Sequence, residues 1–190
     1  MLLRSVFPLC ICLLNLFGAA LLVAQDLESY LKKAQDLEKK RDYEAAEKAY
    51  QQASAAFPNQ PEVFKRMGML YLTELKFQQS IDPFQKALQG APQYPEVNFY
   101  LGLSYFGLNL FEKAVEAFNR ELEANPKYRR AHYYAALAFQ SLGQTVDSIQ
   151  QFEAVLKEDP NDKDVLYQLA RLHKAASLSA VKRLDALDPD

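Results

Sequence analysis

A chain of 190 residues with 49% hydrophobic and 24% charged residues has the composition of a packed protein and excludes a wholly disordered one. Its net charge is −2, and setting Arg4 aside leaves 21 basic against 24 acidic residues. That balance lacks the cationic footprint that phosphate binding needs, so nucleic acid is not an expected partner.

The first element is an apolar run from Val6 to Val23, broken only by Asn15, Pro8 and Gly18, with Arg4 before it and the polar stretch QDLES after it. This predicts residues 1–24 as a signal peptide or membrane anchor. Small residues close the run at Ala24 and, earlier, at Gly18-Ala19-Ala20, and both are candidate cleavage sites. Cys10 and Cys12 both lie inside the run, after Leu9 and Ile11, where they do not form a lipoprotein signal. With no other cysteine, the body has no disulfide or thiolate metal site. The body, residues 25–190, is expected to be periplasmic or secreted, or tethered to a membrane through residues 5–24 if the leader stays. Lys32, Lys33, Lys39, Lys40 and Arg41 pull the other way, because in an uncut chain they favour holding the body inside.

From Leu27 onward the chain falls into frames of 34 residues: 27–60, 61–94, 95–128, 129–162 and a shortened unit 163–190. The eighth position reads Ala34, Gly68, Gly102, Ala136, Ala170. Five small residues in a row is a chance event of roughly one in ten thousand at this composition. The twentieth position is also small (Ala46, Ser80, Ala114, Ser148), the twenty-fourth is always aromatic (Tyr50, Phe84, Phe118, Phe152), and Pro58, Pro92, Pro126 and Pro160 end the complete units. Two antiparallel helices per unit approach closely only where one presents a small side chain, and a ring one turn along fills the wedge that remains. Each unit is therefore predicted to be a hairpin of helices, each about 13 residues and roughly 20 Å long.

The stretch PEVNFYLGLSYFGLNLFEKAVEAFNRELEANPKY, Pro95 to Tyr128, carries Leu101-Gly102, Tyr105, Ala114, Phe118 and Pro126 in the order L-G-x-x-Y, A-x-x-x-F, P. In this it resembles the tetratricopeptide repeat family, and the resemblance extends from Leu27 to about Lys174. It implies an all-α solenoid, a right-handed superhelix of about four and a half repeats.

Three departures from the frame carry their own expectations. Lys33 stands where later units have Met67, Leu101, Ala135 and Leu169, as suits a solvated first face. Pro83 falls inside a second helix and is expected to bend it, at a cost of about 3 kcal/mol if unrelieved. In the fifth unit the closing Asp188-Pro189 arrives five residues early, so something between its helices is deleted. Aligned on Pro189, Ser177 takes the small position and Val181 the aromatic one, which predicts a short closing helix over Leu178 to Leu187.

Catalytic chemistry finds no support in this sequence: there is no G-x-S-x-G, P-loop or H-E-x-x-H. His132 and His173 sit at positions where aromatics pack, without a Cys, Asp or Glu at ligand spacing, and both are read as structural. Glu121 with Glu123, and Glu158 with Asp159, lie near second-helix ends where solvation explains them. Neither an enzyme nor a cofactor or metal is expected.

What the resemblance implies is a protein or peptide binder whose first helices line a concave groove, with unit positions 2, 5, 9, 12 and 13 facing it. Carried over, these are Glu62, Lys65, Met69, Leu72 and Thr73 in the second unit, and Glu96, Phe99, Leu103, Phe106 and Gly107 in the third. The fourth supplies Arg130, Tyr133, Leu137, Gln140 and Ser141, and the fifth begins Asp164, Tyr167, Arg171. Phe99, Phe106, Tyr133 and Tyr167 are expected to form an aromatic ladder, with Lys65, Arg130 and Arg171 as a charged rim, while Tyr100 and Tyr134 pack between first helices. Some members capture C-terminal carboxylates with a Lys, Asn and Arg set; here Met69 replaces the Asn, which favours an amphipathic helix or extended apolar segment instead. The expected role is a non-catalytic scaffold. The alternatives are a homo-oligomeric structural subunit, with a second copy over the ladder, or an accessory subunit of an enzyme complex.

Overall fold

The computed structural model describes residues 26–187, so the apolar leader and its cleavage sites lie outside the described residues. Among the described residues all regular structure is helical, in nine helices. They are α1 (26–39), α2 (Tyr43–Ala56), α3 (Pro61–Thr73), α4 (Phe77–Gly90), α5 (Val97–Gly107), α6 (Phe111–Ala124), α7 (Arg129–Ser141), α8 (Thr145–Glu158) and α9 (Lys163–Leu187). From α2 to α9 each contacts its neighbours in sequence, α1 packs on α2 through Ala34, Ala46 and Tyr50, and α3, α5 and α7 also touch in succession, which makes the first helices the inner wall of a solenoid. No described helix is long and apolar enough to cross a membrane.

The small and aromatic positions pack as their spacing demands. A Cβ on Gly68 would meet the Phe84 ring at 2.5 Å, and one on Gly102 would meet Phe118 at the same distance. Ala34 with Tyr50, and Ala136 with Phe152, repeat the contact in the outer units, all four fully buried. Ser148 donates to the carbonyl of Ala136 at 2.9 Å, so the small residue at position twenty also lets a hydroxyl reach the facing backbone. Lys33 is exposed on the first face, as a terminal unit requires.

Each hairpin turns through three residues, and the middle one takes a left-handed backbone: Arg41, Leu75, Asn109 and Gly143, with φ of 60°, 57°, 58° and 72°. Side chains with a Cβ are disfavoured there, and three of the four units accept that strain to reverse the chain in so few residues.

Two helices differ from expectation. α4 runs uninterrupted from Phe77 to Gly90, so Pro83 does not break it. The missing N–H is one bond in a 14-residue helix, and Pro83 is buried in line with Ser80, Phe84 and Ala87, so the packing of that face holds the helix through the defect. The short closing helix of the fifth unit does not form either: α9 is one continuous helix of 25 residues. Its middle, Lys174-Ala175-Ala176-Ser177, contains neither Gly nor Pro to stop it. Nothing among the described residues covers its far half, which is exposed from His173 to Leu187, so His173 does not pack as expected.

α5 starts two residues late, at Val97, because Glu96 is left-handed with φ of 66°. The Val97 N–H donates to the carbonyl of Tyr94 at 3.2 Å, and the Glu121 side chain of α6 faces the backbone N–H groups of Glu96 and Phe99. Glu121 is only 5% exposed and occupies the position that Ala53, Ala87 and Val155 fill in the other units. A carboxylate thus stands beside the start of α5 at a position that is apolar in the other units.

Candidate functional site

The inner wall is assembled from α3, α5, α7 and the first half of α9, and its residues fall into a closed part and an open part. In the closed part, Lys65 is not a free rim cation. Its Nζ donates to the carbonyl of Pro95 at 3.0 Å and to Glu96 Oε2 at 3.2 Å, and lies 5.8 Å from the ring centres of both Tyr94 and Tyr100, leaving its side chain 14% exposed. The groove carboxylates are occupied as well: Tyr94 donates its hydroxyl to Glu62 at 2.9 Å and Tyr128 to Glu96 at 3.0 Å. In both units the last residue is thus tied back to the second. Burial, reinforced by Glu62, pushes the Tyr94 phenol up to about 12, and burial with Glu96 raises Tyr128 further, so both stay protonated donors.

Phe99, expected in the ladder, has no exposed surface. Tyr100, Phe118, Tyr128 and Tyr134 surround its ring at centroid distances of 5.4, 5.9, 5.1 and 5.8 Å. The Arg130 guanidinium closes the last side, 4.6 Å from the ring centre, as a cation–π lid. Phe99 is therefore core and cannot touch a partner; the late start of α5 and the rings of the next unit roof it over. Arg130, itself exposed, is the groove-side surface at that point.

Phe106 is half-buried against Phe111 and Tyr134, at 5.4 and 6.0 Å between centroids. Leu103 and Leu137 are half-buried edges of the core, and Met69 is half-buried beside a cavity of about 210 Å³ lined also by Gln35, Glu38, Lys39, Tyr50 and Arg66. Gly107 is needed for close approach, since a Cβ there would meet the Phe77 ring at 2.6 Å.

The open part begins at Tyr133, half-buried between Tyr134 (5.6 Å) and Phe152 (5.8 Å). It lines a cavity of about 200 Å³ with Arg129, Arg130, Tyr134, Val155, Asp162 and Asp164. Burial, with a smaller contribution from Asp164, raises its phenol. Arg129 pairs with Asp159 at 2.8 Å, and Asp162 accepts from the N–H groups of Asp164 and Val165 at 3.1 Å, capping α9. Beyond it Tyr167 is 64% and Leu166 44% exposed, with the Arg171 guanidinium 5.9 Å from the Tyr167 ring centre. The ladder thus grades from sealed (Phe99) through half-buried (Phe106, Tyr133) to exposed (Tyr167).

Tyr134 joins the rungs. Its ring also lies 6.2 Å from Phe118, so one packing residue touches Phe99, Phe106, Phe118 and Tyr133. His132 is held at both ring nitrogens, Nδ1 lying 2.7 Å from the Gln151 side-chain amide and Nε2 2.9 Å from the carbonyl of Pro126. Sequence reasoning missed Glu121 and Tyr128 as parts of this wall. The signal for Glu121 was a charge at a frame position that is otherwise Ala or Val. Among the described residues no three His, Cys, Asp or Glu side chains come together as a metal site would need. What remains is a wall of rings, two tyrosine hydroxyls and two arginines, suited to non-covalent recognition.

Comparison with known proteins bears on the same residues. No curated protein matches the chain. Among solved structures, the crystal structure of MamA aligns with a TM-score of 0.77 at 21% identity, over 85% of this chain and 90% of that one. MamA 41-end from Desulfovibrio magneticus RS-1 gives 0.73 at 19%, over 86% and 97%. The first repeat domain of Spaghetti (RPAP3) bound to an HSP90 peptide gives 0.60 at 24%, over 62% and 94%. At these identities the likeness is one of fold. The family model described as Tetratricopeptide repeat matches residues 31–95 and again 99–163, the two double units built around the Gly68–Phe84 and Ala136–Phe152 contacts, and on that match the chain belongs to the tetratricopeptide repeat family.

Proposed function

We propose that this protein is a non-catalytic interaction scaffold that receives an amphipathic helix or an extended apolar segment of another protein on the α7–α9 end of its inner wall. The observation that carries this reading is the contrast along one face: Phe99 is wholly covered by its own chain, whereas Tyr133 borders a cavity and Tyr167 stands 64% exposed. Exposed rings on a rigid helical wall are the surfaces that anchor partners, and Arg130 and Arg171 give that surface a cationic edge. The RPAP3 domain, which shares the fold, is seen with a peptide bound. Capture of a C-terminal carboxylate is disfavoured here, because Lys65 is engaged by Pro95 and Glu96. The leader pattern of residues 6–23 supports action in the envelope or secretory space, with the leader either cut or kept as a tether. The intact mass of the exported protein distinguishes the two.

The test is affinity capture with the full chain against a Tyr133→Ser, Tyr167→Ser double variant, with circular dichroism to confirm the fold. Partners of the wall lose about tenfold or more in affinity. Retention of every partner at unchanged affinity removes the wall as the binding site.

A further inference from the structure

Position eight of the repeat is a docking slot, and in the fifth unit it is empty. Ala34, Gly68, Gly102 and Ala136 are all buried under the second helix of their own unit, whereas Ala170, the fifth residue of the series, is exposed. Leu166, one turn before it, is 44% exposed, and His173, one turn after, is exposed too. Among the described residues α9 thus presents the full face of a first helix with no second helix on it.

The residues that belong there are present but displaced. With Pro189 taken as the closing proline, Ser177, Val181 and Leu184 fall at the positions of Ser148, Phe152 and Val155, all three of which are buried in the fourth unit. In the fifth, Val181 is 52% and Leu184 65% exposed, with Leu178 at 55% and Leu187 at 83%. Six of the ten large apolar side chains exposed among the described residues lie on α9. This is a second helix without its slot, on the same rod as a slot without its helix.

The physical cause is the five-residue deletion. A first helix fills the first 13 positions of a unit, as α3 and α7 do, and the turn fills the next three. In the fifth unit those 13 positions end at Ala175, and the residues missing after it are the turn and the first two residues of the second helix. Without the turn the two helices fuse end to end, and the second segment points away from the face it would cover. Shortening a hinge loop in this way blocks closure within one chain while leaving the contact available between chains.

We propose that α9 is completed by a second copy of this chain: the 176–187 segment of each copy lies antiparallel on the Leu166, Ala170, His173 face of the other and serves as its fifth second helix. For both contacts to form at once the two-fold axis crosses α9 near Ala175, in the run Ala175-Ala176-Ser177, where small side chains let the rods approach. The contact is isologous and closes, so it yields a dimer and not a filament. Leu166, Ala170 and His173 lie roughly 100° around α9 from Tyr167 and Arg171, and the proposal does not rest on the reading of the Tyr133 wall.

The test is disulfide trapping of the full chain with Cys10 and Cys12 replaced by Ser. A double variant, Ala170→Cys with Val181→Cys, is oxidised by air and run on a non-reducing gel. Expected is a covalent dimer, formed at least about tenfold faster than by a Val146→Cys control, whose position is also highly exposed but lies off this face. A further Leu184→Glu change lowers the dimer to the control level while helix content by circular dichroism is unchanged. A monomer with an internal disulfide shows that α9 folds back and overturns the proposal. A rate equal to the control overturns it as well, because the face is then covered by something else or by nothing.

Discussion

Helices α5 and α9 hold the same place in the repeat and meet opposite fates. Phe99 and Tyr167 both occupy position five, yet one is fully buried and the other 64% exposed. The difference comes from the chain beyond each helix. After α5 come α6 and α7, which bring Phe118, Tyr128, Tyr134 and Arg130 around the Phe99 ring. After the first half of α9 the described residues continue as the same helix. A repeat position therefore fixes the direction in which a side chain points, and the neighbouring units decide whether it is core or contact.

The largest expected effect tests that contrast directly. Phe99→Ala empties a site closed on every side and costs about 3–5 kcal/mol in urea unfolding, while Tyr167→Ala stays within about 0.5 kcal/mol. Equal losses from the two substitutions would erase the distinction between sealed and open ends of the wall.

The frame, the hairpins and the small-against-aromatic contact were legible because each is written locally: a 34-residue period, one small side chain, one ring a turn along. The accessibility of the groove was not. Nothing within the third unit announces that Arg130 will stack on Phe99, or that Lys65 will be held by Pro95 and Glu96 across the unit boundary. Those contacts join residues roughly one unit apart, and position numbering treats each unit by itself. α9 shows the converse. The deletion was visible in the early arrival of Asp188-Pro189, but its consequence depends on whether the remaining residues can make a turn at all. With Ala175-Ala176-Ser177 in place of a left-handed residue such as Gly143, they continue as helix.

Restoring the turn sharpens the comparison by making the fifth unit resemble the fourth. Inserting Leu-Gly-Gln-Thr-Val, the sequence of Leu142 to Val146, after Ala175 returns the five missing residues with a glycine at the left-handed position. The second segment then folds back, covering Leu166 and Ala170 with Val181 and Leu184, and unfolding free energy rises by about 2 kcal/mol. Hydrogen exchange should show new protection at Val165 to Leu169 in the inserted chain at low concentration. If the rod persists and protection is unchanged, the absence of a turn is not what keeps α9 straight.

The smallest expected effect concerns how the two helices begin. α9 is capped by the residue just before it, Asp162, whereas α5 starts beside Glu121, which lies on the next helix and is buried. Burial raises the Glu121 carboxyl above its ordinary 4.5, the N–H groups of Phe99 and Glu96 and the Lys65 ammonium oppose that shift, and the Glu96 carboxylate adds to it. A carboxyl raised in the folded state binds its proton more tightly there than in the unfolded chain. Its contribution to stability is therefore full below the unfolded value and lost as pH rises through the folded one. Glu121→Gln removes this titration while keeping the size of the side chain and a carbonyl oxygen facing the start of α5. Between acid pH near the unfolded value and neutrality, the stability of the variant relative to wild type should shift in the variant's favour, by under about 1 kcal/mol because Glu96 and Lys65 share solvent with the site. Parallel pH profiles for the two proteins would mean that the charge on Glu121 is immaterial to the entry of α5, and that only its hydrogen-bonding oxygen matters.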